Sequence, residues 1–100
     1  MANREPGLHW TADSLGFMLP GTVYADVAGE RLRAHRKHGP NGMESRDAYD
    51  RKWWTVLMEE VGEVARAFED GESIERIKEE LVQVTAMAAA WVDACDRSKG

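Results

Sequence analysis

Apolar residues recur at three- and four-residue intervals over most of the chain, the period of helices that bury one face. Val23, Val27, Ala28 and Leu32 mark a first helix, with Thr22 as its N-cap and Gly39-Pro40 as its stop near His38. A second run starts from Ser45 as N-cap and continues to Glu69, where Gly71 ends it. With Trp54 as the origin of a helical wheel, Leu57, Met58, Val61, Val64, Ala65 and Phe68 share its side. This stripe places Trp54 in the core and Trp53 at the edge, free to stack on a base. Ser73 caps a third helix, Ile74 to Arg97, whose middle from Leu81 to Val92 is apolar nearly all round. A helix apolar on every side must be covered on every side, and three short helices hardly manage that. The expected fold is therefore all-α, with three main helices per chain completing a bundle of four or more helices by oligomerisation.

No period persists through residues 1–21, where single apolar residues mix with Gly7, Gly16, Pro20 and Gly21. They read as an irregular N-terminal arm before a helical domain at 22–97. At 100 residues the chain is at most one domain, and so short a chain buries only about 60–65% of its unfolded surface, which also favours partner copies. An apolar content of 43% with 31% charged residues is that of an ordered soluble protein. The net charge of −5 disfavours a general grip on nucleic acid. No apolar stretch has the length of a signal peptide or a membrane span, and Cys95 is the lone cysteine. The expectation is a cytoplasmic protein in which Cys95 acts as a small hydrophobe.

Charge is unevenly distributed. The end of the first helix, RLRAHRKHG, gathers Arg31, Arg33, Arg36 and Lys37 with His35 and His38. This is either a solvated face matched to the negative end of the helix or the cationic wall of an anion site. Lys52 and Trp53 at the start of the second helix join Arg36, Lys37 and His38 as candidate substrate-binding residues. Between Glu59 and Glu80 nine acidic residues stand against three bases, and two segments nearly repeat, EEVGE at Glu59–Glu63 and EELVQ at Glu79–Gln83. Across an antiparallel helical hairpin Glu60 and Glu63 can face Glu80 and Gln83. Three carboxylates and an amide oxygen at such a crossing repel one another unless a cation intervenes, and Mg²⁺ or Mn²⁺ suits hard oxygen ligands. The competing reading is a Glu-rich solvated face.

The segment EEVGEVARAF, whose Glu63 is followed after 16 residues by Glu80-Leu81-Val82-Gln83, resembles the MazG-like all-alpha nucleotide pyrophosphohydrolases, whose signature is Glu-x-x-Glu and then Glu-x-x-Asp on successive helices. The resemblance runs from about Thr22 to Cys95. It implies Mg²⁺ held by Glu60, Glu63, Glu80 and Gln83, with Glu59 and Glu63 as catalytic carboxylates. The implied reaction converts an NTP or dNTP to a nucleoside monophosphate and pyrophosphate, in a homodimer or homotetramer. Gln83 departs from the signature aspartate: its amide oxygen still ligates, but one negative charge is gone. That departure gives one alternative, a catalytically weak nucleotide-binding or sequestering protein; the reading of the acids as a solvated face gives another, a structural helical oligomerisation module.

Overall fold

The computed structural model describes residues 20–39 and 42–98; the arm expected at 1–21 lies almost wholly outside them. Among the described residues there are three α-helices and one short 3-10 turn, and no strand. Helix α1 spans Gly21–His38, α2 spans Arg51–Glu69 and α3 spans Ile74–Ser98, with the 3-10 turn at Met43–Ser45 between α1 and α2.

Local chemistry sets the boundaries. Pro20, rather than Thr22, occupies the N-cap position of α1, without a side-chain cap. The helix stops at Gly39, whose φ of 60° is open to glycine at little cost and whose amide donates to the His35 carbonyl. Helix α2 begins five residues later than Ser45 as N-cap would have it. Ser45 is spent on the 3-10 turn, where its hydroxyl donates to the Gly42 carbonyl at 2.8 Å. Asp50 caps α2 instead, accepting from the Lys52 amide at 2.8 Å while Arg46 donates to its other oxygen at 2.9 Å. These contacts hold the Asp50 carboxyl below its ordinary range, the Lys52 amide foremost and Arg46 next. At the far end the Glu72 amide donates to Ala67 and the Gly71 amide to Phe68, a Schellman stop with Gly71 at φ 67°. Ser73 caps α3 as its sequence position foretold, its hydroxyl accepting from the Arg76 amide at 3.1 Å.

The short turn after α2 returns the chain antiparallel, so α3 is the central element, packed against both α1 and α2. Ala86, Ala90 and Ala94 form a buried ridge at four-residue spacing on α3, small enough for close approach. No residue of α1 is buried. It is tied to α3 by Lys78 on Asp26 at 3.1 Å and to the 3-10 turn by Arg31 and His35 on Glu44.

The tryptophan assignment is reversed. Trp53 is wholly buried, its indole stacked on Trp91 with centroids 6.1 Å apart and planes 5° off parallel, whereas Trp54 is 59% exposed. Met58, Val61 and Phe68 of the expected core stripe are exposed as well. The seam with α3 runs through Trp53, Glu60 and Ala67, a column at seven-residue spacing rotated from the stripe by one residue. Periodicity locates an apolar face without saying whether its partner lies in the same chain. Cys95 is exposed too, not packed as a small hydrophobe.

Candidate functional site

The end of α1, the 3-10 turn, the start of α2 and the middle of α3 surround an open cleft of about 410 Å³. Its floor is apolar, from Met43, Val56, Ala86, Met87 and Ala90. Its wall is cationic, from Arg31, Arg33, His35 and His38 on α1 with Arg46 and Lys52 opposite, and Glu30, Glu44, Glu60 and Gln83 add oxygens. The alanine ridge leaves room above the floor, and the basic last turn of α1 borders it because the helix continues to His38. A cleft of this size falls in the range of small-molecule sites.

Several of the cations are already engaged. Arg31 Nη2 lies 3.3 Å from Glu44 Oε2, and His35 Nδ1 lies 2.8 Å from Glu44 Oε1. Arg33 pairs with Glu30, which raises the guanidinium pKa through its hydrogen bond first and its charge second. Arg31 Nε is shielded from solvent and has no hydrogen-bond partner, an unmet donor on the cleft wall.

The expected carboxylates divide between two depressions. Glu60 and Gln83 line the cleft, while Glu63 and Glu80 line a shallower hollow of about 230 Å³ with Arg66, Asp70, Glu72 and Arg76. Glu80 is buried; its Oε2 accepts from Arg76 at 2.7 Å, and its Oε1 has no partner. Glu63 and Glu59 are exposed. Among the described residues no group of three or more His, Cys, Asp or Glu side chains is arranged to hold a metal ion. Of the substrate-binding candidates, Lys52 and His38 line the cleft. Arg36 and Lys37 are exposed outside its lining, and Trp53 is sealed in the core, so it cannot stack on a base.

Burial pushes the Glu60 carboxyl above its ordinary range, and the charges of Glu63, Glu80, Glu30 and Glu59 push it further. The folded chain therefore holds this proton more tightly than the unfolded chain does. The stabilisation from protonated Glu60 is complete below the ordinary carboxylate range and is lost as pH rises through the raised pKa. At neutral pH Glu60→Gln is expected to melt at a higher temperature than wild type, the gap closing on acidification through the carboxylate range. Thermal melts across that range decide it; a gap that ignores pH would show that neither burial nor the surrounding acids raise the proton affinity of Glu60.

Sequence reasoning missed Glu30, Glu44, Arg46 and Arg76. Glu44 carries no periodic or motif signal and reaches the wall only because the 3-10 turn folds back on α1. Arg76 carried one: it stands four residues before Glu80, the spacing of a helical ion pair. Among the described residues no helix is long and apolar enough to cross a membrane. Comparison of the chain with protein-family models, with curated proteins and with solved structures found no match.

Proposed function

We propose that this chain binds a nucleoside triphosphate or deoxynucleoside triphosphate in the α1–α3 cleft, as a nucleotide-binding or sequestering protein. The observation that carries this reading is the joining of a cationic wall, with its unmet Arg31 Nε donor, to an apolar floor of alanine and methionine. Phosphates are matched by guanidinium and ammonium groups, and a base is matched by a flat apolar surface. Gln83 at the edge of the floor adds an amide that can both donate and accept, as recognition of a base edge requires. The exposed apolar residues of α2 and α3 support completion of the bundle by further copies of the chain.

A second reading, Mg²⁺-dependent release of pyrophosphate, has one observation in its favour. Glu60 is crowded by four carboxylates, and Glu80 keeps a buried, unpartnered oxygen. A divalent cation would relieve both, held by Glu60, Glu63, Glu80 and Gln83, and would supply charge neutralisation at the phosphates. In the arrangement described, Glu80 is engaged by Arg76 and Glu63 faces the other hollow, so those ligands would have to converge.

The deciding experiment incubates the protein with each NTP and dNTP, with and without Mg²⁺, and follows both binding and products. Tight binding of intact nucleotide is the expected result. Monophosphate plus pyrophosphate, lost in Glu60→Ala and Glu63→Ala, would establish the second reading instead. A melting temperature unmoved by every nucleotide would defeat both, because a ligand that prefers the folded state must raise it.

A further inference from the structure

The cleft occupies one side of the α2–α3 hairpin, and the other side carries apolar surface that the described chain leaves open. On α2, Trp54, Met58, Val61, Ala65 and Phe68 are exposed, Phe68 to 70%, at spacings that alternate between four and three residues. On α3, Leu81, Thr85, Val92 and Cys95 are exposed and Ala88 is half-buried, and the same alternation joins them. This spacing is the seam of helices that pack lengthwise against other helices.

The two stripes share one face. Helix α2 turns Trp53 and Glu60 toward α3, and α3 turns Trp91 and Glu80 toward α2. From that seam each stripe lies roughly a quarter to a third of a turn onward, in the same rotational sense along its own helix. Because the helices run antiparallel, the same sense brings both stripes to the same side. The cleft residues Val56 on α2 and Ala86 and Ala90 on α3 lie the opposite way, with α1. Counting along the helices from the Trp53–Trp91 stack sets Leu81 close to the level of Val61 and Val92 close to that of Trp54.

We propose that a second copy of this chain covers this face, the two hairpins stacking about a two-fold axis near Val61 so that α2 runs antiparallel to its counterpart. The inference rests on the oligomeric reading above and specifies it; it does not depend on what the cleft binds. Charge fixes the occupant and its direction. Arg51 at the start of α2 and Glu69 at its end flank the stripe on the same edge. Antiparallel self-pairing brings Arg51 to the partner's Glu69 twice, whereas parallel pairing leaves Arg51 and Glu69 at opposite ends of the interface and makes neither contact. The same register lays Trp54 against the partner's Phe68 and Val61 against the partner's Val61.

Sedimentation of the full chain should give at least twice the 11.2 kDa of one copy. Val61→Glu should reduce the mass to that of a single chain while far-UV circular dichroism stays helical, since Val61 is 40% exposed within one copy. Arg51→Glu should weaken association on the order of tenfold, and adding Glu69→Arg should restore it. Val61→Cys in a Cys95→Ser background should form a disulfide with its own copy on oxidation. A Val61→Glu protein that keeps the wild-type mass would overturn this face while leaving the oligomer standing. A wild type that is monomeric at several hundred micromolar would remove both, and absence of the Val61→Cys crosslink in an oligomer that Val61→Glu dissociates would overturn the antiparallel register. Nucleotide binding measured on the Val61→Glu monomer reads the cleft separately.

Discussion

Trp53→Ala is expected to cost about 3–5 kcal/mol, the range for truncating a large buried aromatic, and to lower the melting temperature on the order of 15–30 °C. Trp53 is the only residue with a large side chain that is fully buried among those described. Its indole N–H donates to the Asp47 carbonyl at 3.0 Å while its ring lies on Trp91, whose own N–H donates to the Ala48 carbonyl at 2.9 Å. One stacked pair therefore clamps the segment before α2 onto the α2–α3 seam. Ala48, Ala90 and Ala94 complete that cluster, with Met43 and Met87 against it. Since Met43, Met87 and Ala90 also form the cleft floor, loss of the indole should abolish ligand binding along with stability. Trp53→Phe keeps the stack but strands the Asp47 carbonyl, at about 1–2 kcal/mol. Thermal denaturation of both variants beside Trp54→Ala is the check. A fall of only a few degrees for Trp53→Ala, or an equal fall for Trp54→Ala, would show that the anchor lies elsewhere.

Glu44→Gln is expected to strengthen nucleotide binding about 3- to 10-fold. The Glu44 carboxylate spans Arg31 and His35, the positions on the wall where a phosphate would be received. An incoming anion must displace it, and a partly exposed pair of this kind returns a few tenths of a kcal/mol to about 1 kcal/mol per contact when relieved. The neutral amide keeps the shape of the turn while giving up the competing charge. Arg31→Ala should act in the opposite sense and weaken binding about tenfold, since it deletes both the guanidinium charge and the unmet Nε donor. Titration calorimetry with a single nucleotide resolves the two. Weaker binding by Glu44→Gln would mean that the carboxylate organises the wall for the ligand and does not compete with it.

The hairpin was legible because its signals are local. Ser73 before α3, Gly71 after α2 and Gly39 after α1 act within one or two turns of the backbone. The start of α2 was not, because two polar residues compete for that cap and a 3-10 turn consumed Ser45. Lys52, Glu60, Gln83 and His38, singled out by charge and motif, line one cleft. Glu63 and Glu80 share the motif but not the cleft. Glu63 stands two turns beyond Val56 on the same side of α2, so it is separated from the cleft along the helix, and Arg76 engages Glu80 at that end of the hairpin.

Sequence by itself determined what depends on neighbours along the chain: three helices, two of their stops, the cap of α3 and the separation of a basic helix end from an acidic hairpin. The three-dimensional arrangement alone decided which tryptophan is core, which carboxylates share a cavity and which apolar stripe stays exposed. A helical period fixes the angle between side chains on one helix. The rotation of that helix against its neighbour is set by the contacts that fit, here the Trp53–Trp91 stack over a ridge of alanines.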